Sequence, residues 1–481
     1  MSMPVTKSPL RVLLAGLLCT IVPPGCSNEG STSSCATGCC DADDLAAALA
    51  AAAPGDTVRV GACTVAGSFT VPAGVTLRGQ DRNASIVEAV GNRPAVRLLP
   101  GDPPARLTDI RIRSSGHTGV FLVDGSGSVA VERVVVEATR GMALAGEDLT
   151  SVVLSDVSLT GPITAENQRS VSPLAGPTET ATHGLVLVRV GTATITNVTA
   201  TGFAQFGALL VSCGSTWTGG GAPANRGVGV MLFGGAATLD TLDLSDTFGA
   251  TTPIPSYGGV FAGGAQVETT GLLVSGSANF GLLHDAAAVR HTELTVSDSG
   301  EAGMWVQGCP SFAVDGAQLL RNGMGGLVLV ETGDTTLQRM DSAETRLLPA
   351  VFGETGRVDI GAGLEVVRPL GVVSLSQSTL SRNEQVGLLV QLASGGTMDG
   401  FTFADVSVQG LGVQFGAVAQ GGRVDPGWDT GISRDPTTTL NDESRVGSLD
   451  RVGSLDAADM PAVTQIVDLG LIGLIDPDPP F

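Results

Sequence analysis

The sequence predicts an all-β fold, a parallel β-solenoid of stacked coils closed at its start by a short capping helix. Three observations lead there. A glycine followed by alternating apolar residues returns roughly every 22 residues. Gly is abundant (67 of 481 residues) while aromatics make up only 4%, a balance that suits stacked turns better than helices. One helix-forming stretch precedes a series of short strand-like runs. A repeat of this length without heptads indicates one long array instead of two or three ordinary domains.

Residues 1–25 read as an export signal. Lys7 and Arg11 form a basic start, and Leu10 to Val22 is an apolar run too short to span a bilayer. Pro23, Pro24 and Gly25 then precede Cys26. This order resembles a bacterial lipoprotein signal, which implies lipidation of Cys26 and a place at the outer membrane or cell surface. Cleavage without lipidation, giving a periplasmic or secreted protein, is the alternative. Membrane association is expected by lipid anchor only. Residues 26–40 read as a tether, 41–425 as the solenoid and 426–481 as an irregular tail.

Removing 1–25 takes away two cations and leaves 24 basic against 47 acidic residues, a net charge of −23. Phosphate binding needs a basic face, so nucleic acid is excluded as a ligand. No cofactor is expected. Such an acidic exported chain can take Ca²⁺ or meet cationic surfaces; otherwise the charge serves solubility. No lysine follows Lys7, which excludes a Lys nucleophile, base or Schiff base.

Cys35, Cys39, Cys40 and Cys63 cluster near the mature start, where three pairings into two disulfides are open. Zinc is the rival reading, but the cluster lacks His and a regular CxxC, and no metal is expected. Cys213 and Cys309 share one phase of the repeat. Four coils separate them, about 19 Å at about 4.8 Å per coil, beyond the roughly 7 Å that a disulfide spans. They are expected as buried free thiols.

Asp41 or Asp43 can cap a helix over DLAAALAAA. PGDTVRVGACTVAGSFTVPAGVTLRG follows, with alternating apolar residues broken by Gly and Pro. This opening resembles the N-terminal cap of right-handed parallel β-helix proteins of the pectin-lyase-like fold, and the resemblance implies a helix over the open end of the solenoid. The repeat then reads GVFLV at 119, GMALA at 141, GLVLV at 184, GALLV at 207, GVMLF at 229, GVFAG at 259, GLLHD at 281, GMWVQ at 303, GLVLV at 326, GLEVV at 363, GLLVQ at 387 and GAVAQ at 416.

Strand alternation assigns faces. The first and third residues after each Gly should point inward, as Leu282 and His284 or Met304 and Val306 do. The second should point outward: Phe121, Ala143, Val186, Leu209, Met231, Phe261, Leu283, Trp305, Val328, Glu365, Leu389 and Val418. That column is almost wholly apolar, which is unusual for a solvent-facing strand. Either the protein's own insertions or tail cover it, or a ligand or partner does. Asn279, Asn322 and Asn383 read as left-handed turn residues. Stretches rich in Ser, Thr, Pro and Gly at 162–182, 213–228, 247–258 and 331–360 read as projecting insertions. After about 420 the repeat fades.

The β-helix resemblance covers roughly 40–425 and concerns the fold, which does not give function. Polygalacturonase-like hydrolases of this fold use an Asn-Thr-Asp segment, an Asp pair, a Gly-His-Gly and an Arg-x-Lys. Here the Asp pair is Asp43–Asp44 in the capping helix. Gly116–His117 is followed by Thr118, His183–Gly184 opens a coil, and Arg-x-Lys is absent. His284 falls at an inward slot and reads as a hydrogen-bonded core residue.

What remains is a candidate patch. Phe261, Leu283 and Trp305 share an outward position on three coils, with Asp285 and Gln307 two residues on and Trp217 and Tyr257 from preceding segments. Aromatics stack on sugar faces while carboxylates and amides bond hydroxyls. The leading expectation is a non-catalytic, envelope-anchored β-helix that engages glycan or a surface protein along its lateral face. A polysaccharide lyase or glycoside hydrolase with a divergent site is the alternative, and a structural surface spacer the third.

Overall fold

A computed structural model describes residues 38–116, 118–163, 181–248, 256–346, 348–351, 357–393, 395–410, 415–423, 427–434 and 439–441. The export segment with Cys26, most of the tether with Cys35, His117 and residues 442–481 of the tail lie outside these.

The chain is a right-handed parallel β-helix. Among the described residues its coils build two parallel sheets, sheet A of 21 strands and sheet B of 15. The helix Ala42–Ala51 closes the N-terminal end. Asp41 caps it, accepting from the N–H groups of Asp43 (2.9 Å) and Asp44 (3.2 Å). Leu45 and Leu49 are buried against the strands Thr57–Val60 and Phe69–Val71. A Cys40–Cys63 disulfide ties the residues before the helix to the first coil, and Cys39 is disulfide-bonded as well.

The recurring glycine has a steric cause. A Cβ at Gly281 would sit 2.5 Å from the carbonyl oxygen of Gly303, one at Gly303 2.6 Å from that of Gly326, and one at Gly387 2.7 Å from that of Gly416. Successive coils touch backbone to backbone here, which favours Gly at most coils. The same contact corrects the predicted faces at two coils. Ala143, not Gly141, occupies the column beside Gly119 (2.7 Å to its oxygen), and Gly258, not Gly259, stands against Gly281 (2.7 Å). The pairing shifts to match. Ala145 pairs with Phe121, and Phe261 aligns with the inward Leu232 and His284 while Val260 takes the outward slot. Ala143 and Phe261 therefore point into the core. The other ten predicted outward positions do face away from it.

Each coil leaves sheet B, crosses sheet A in a strand of up to ten or eleven residues, and returns. The long strand bends at one left-handed residue. Charged and amide side chains hold much of this conformation, which costs roughly 1–2 kcal/mol outside Gly. They stack by sign. Asp109, Arg133, Asp156 and Asn197 form one such column, with Arg133–Asp109 at 2.6 Å and Asn197 donating to Asp156 at 3.2 Å. Asp298, Arg321, Glu344 and Arg382 form another at the corner leaving sheet A, with ion pairs of 2.7 Å.

The predicted left-handed asparagines are a correction. Asn322 and Asn383 are not among the left-handed residues; they are buried. Asn322 accepts from Ser299 N–H (3.1 Å) and donates to the Val296 carbonyl (3.2 Å). Asn383 does the same with Thr345 (3.1 Å) and Ser342 (3.2 Å). Asn279 accepts from Ser256 N–H (3.0 Å). Their amides satisfy backbone groups of the corner that a turn leaves open.

Two expected insertions hold regular strands of sheet A, Gly214–Gly221 and Asp334–Ala343. Their Ser, Thr and Gly reflect a strand with a solvated outer face. Past residue 425, strands Ile432–Arg434 and Thr439–Asn441 still extend the two sheets. Among the described residues no helix is long and apolar enough to cross a membrane, which leaves β-barrels untouched.

Candidate functional site

The outer face of sheet B carries the predicted patch, and it is buried. Trp305 is 1% exposed, Leu283 3% and Tyr257 3%. Side chains on this face form an apolar cluster of their own, separate from the core, from Phe121 to Val418. The structure brings part of the patch together. Tyr257 stacks on Phe280 at 5.7 Å, and Phe280 meets Trp305 edge-on at 5.8 Å. Trp305 Nε1 donates to Gln307 Oε1, and Gln307 Nε2 donates to Asp285 Oδ1, each at 3.1 Å. Asp285 and Gln307 are half-buried at the rim. Phe261 and Trp217 do not join them. Both point into the solenoid, Trp217 between Ile195 and Leu239 with Nε1 donating to the Gly219 carbonyl (3.1 Å).

Glu365 interrupts this apolar face. It is buried, accepts from Gln391 Nε2 at 2.7 Å, and burial pushes its carboxyl up to about 7. Inside the coil, Nε2 of His284 and Nε2 of His291 are 3.1 Å apart and share one hydrogen, while Thr269 Oγ1 lies 2.7 Å from His291 Nδ1. Burial holds His291 down to about 3, and burial with the neighbouring His291 holds His284 well below its ordinary value. Both rings are core groups that stay neutral at physiological pH. His183 is likewise buried beside Phe206, held to about 3 by burial. Cys213 and Cys309 are free and buried, and burial raises both thiols, Cys309 to about 12.

The open surface is the outer face of sheet A. A groove of about 730 Å³ runs across seven consecutive coils, from Gly191 to Thr336. Strand register lines up its floor. One row reads Thr216, Thr238, Glu268, Arg290, Ala313 and Thr336. A second row, two residues earlier on each strand, reads Gly214, Ala236, Gln266, Ala288, Ser311 and Asp334. Every residue of the first row is exposed except the half-buried Ala313. Aromatic or His signals do not mark this groove, so sequence reasoning passed over it. The available signal was the hydroxyl-rich alternation in segments such as TATIT and STWT. Among the described residues no three His, Cys, Asp or Glu side chains converge as a metal cluster.

No protein-family model matches the chain, and no curated protein matches it. Among solved structures, the chain is similar to the mannuronan C-5 epimerase AlgE4 A-module of Azotobacter vinelandii. Identity is 14% with a TM-score of 0.37, over 84% of this chain and 97% of that one. It is similar to tailspike protein 2 of Escherichia coli O157:H7 bacteriophage CAB120 at 11% identity and TM-score 0.32, over 65% of this chain and 38% of that one. A Yersinia enterocolitica family 28 exopolygalacturonase matches at 8% identity and TM-score 0.27, over 83% and 76%. These likenesses are too distant to carry an activity to this chain.

Proposed function

We propose that the protein is a non-catalytic scaffold that holds a glycan along the outer face of sheet A, anchored at the cell envelope through Cys26. The groove across seven coils is the observation that supports this reading. It is long, shallow and lined by hydroxyl, amide and a few charged groups, the chemistry that exchanges hydrogen bonds with sugar hydroxyls. The spacing of its acids argues against glycoside hydrolysis there. Glu268 and Asp334 stand three coils apart in the register, about 14 Å at about 4.8 Å per coil. Paired carboxylates that cleave glycosides stand within about 10 Å of each other.

Purified protein screened against acidic and neutral polysaccharides, for retention and for cleavage together, tests the reading. Retention without new reducing ends is expected. Release of fragments from any glycan would replace the scaffold by a lyase or hydrolase. The anchor has its own test: Cys26→Ser should move the protein from the membrane to the soluble fraction, and membrane retention of that variant removes the anchor.

A further inference from the structure

The groove has a charge order along its length. Passing coil by coil, the row meets Thr216 and Thr238, then Glu268, then Arg290. That row continues through the uncharged Ala313 to Thr336, while the second row passes Ala288 and Ser311 and reaches Asp334 two coils after Arg290. Arg290 is the one cation lining the groove. Two of its neighbours are short: Ala288 lies two residues before it on the same strand and Ala313 beside it on the next coil, while Glu268 stands beside it on the preceding coil. Arg290 itself is exposed. The nearby Asp315 is already engaged by Arg339 Nε at 2.7 Å. Arg290 therefore presents a planar fork suited to a carboxylate, with Glu268 one coil before it and Asp315 and Asp334 one and two coils after it.

A coil rise of about 4.8 Å is close to the length of one sugar in an extended chain, on the order of 5 Å. Building on the reading of this groove as a glycan site, we propose that its occupant lies parallel to the solenoid axis, one sugar per coil, as a sparsely acidic heteroglycan. One carboxylate sits on Arg290, and the sugars over Glu268 and Asp334 carry none. A chain with a carboxylate on every sugar would place like charges on Glu268 and Asp334. A wholly neutral chain would forgo the additional ion pair with Arg290.

Three hexasaccharides separate these cases by titration calorimetry at low salt: neutral, carboxylated on every third sugar, and carboxylated on every sugar. The sparsely acidic one is expected to bind tightest, by about fivefold over the neutral one, the range of a single solvent-exposed ion pair. The fully acidic one should bind weakest. Arg290→Ala should bring the sparsely acidic and neutral affinities together, and Glu268→Gln with Asp334→Asn should raise the fully acidic one. Tightest binding of the fully acidic hexasaccharide, or no preference for the sparsely acidic over the neutral one, overturns this inference while the glycan reading stands. No binding of any of the three overturns both.

Discussion

The two sheets are built by the same coils, yet their outer faces differ in kind. On sheet A the outward rows are Thr, Ser, Ala and charged residues, open to solvent along a groove. On sheet B they are Val, Leu, Met, Phe and Trp, buried almost as fully as the core. A single-layer solenoid needs one buried face per strand, the inner one. Sheet B carries a second buried face, while the outer face of sheet A is exposed and holds the groove to which the proposed glycan site is assigned.

Truncations on the two faces should differ most. Trp305→Ala on sheet B is expected to cost about 3–5 kcal/mol, as for other buried aromatics cut to Ala. Thr216→Ala on sheet A should stay within about 0.5 kcal/mol. Chemical denaturation of both variants measures the contrast, and equal losses would erase the distinction between the faces.

Glu365 gives sheet B a pH dependence of its own. Its folded value of about 7 lies above its ordinary 4.5. Its contribution is fully present below about 4.5 and is lost as pH rises through about 7, a decline of about 3 kcal/mol. Glu365→Gln should flatten stability between pH 4.5 and 8, and should be more stable than wild type at pH 8. A wild-type curve already flat over that window would show that the carboxyl is not buried.

The interior offers a smaller effect. His284→Leu matches the apolar residues that other coils carry at this slot, but strips His291 Nε2 of its partner, at about 1–3 kcal/mol. His284→Leu with His291→Val removes both and should recover most of the loss. A double variant less stable than the single one would mean that the buried Thr269 hydroxyl, which loses His291 Nδ1, costs more than the unpaired ring nitrogen.

Much of this was legible in the sequence, and what was missed has physical causes. The Gly-led repeat gave the parallel solenoid, and Asp41 gave its capping helix. Ten of the twelve outward residues kept their face. Ala143 and Phe261 failed because Gly141 and Gly259 are not the glycines at the backbone contact between coils; only the three-dimensional stack tells them from their neighbours. Corners held by Arg133, Arg321 or Glu344 were invisible, since these residues seldom adopt left-handed geometry without a stacked partner of opposite charge. The strands at 214–221 and 334–343 looked like loops because their outer face is hydroxylated, the same property that makes the groove. In the patch, Trp305, Gln307 and Asp285 were joined as their spacing implied, while their burial depends on packing outside the strand itself.

The contrast between the faces has one direct measurement. Thr238→Cys and Leu283→Cys place a thiol on the outer face of sheet A and of sheet B, in a protein whose Cys213 and Cys309 are buried. With the native fold intact, a thiol reagent should modify Thr238→Cys within the time of mixing and leave Leu283→Cys unmodified until denaturant is added. Equal labelling of the two in the native protein would contradict the contrast between an open sheet A and a buried outer face of sheet B.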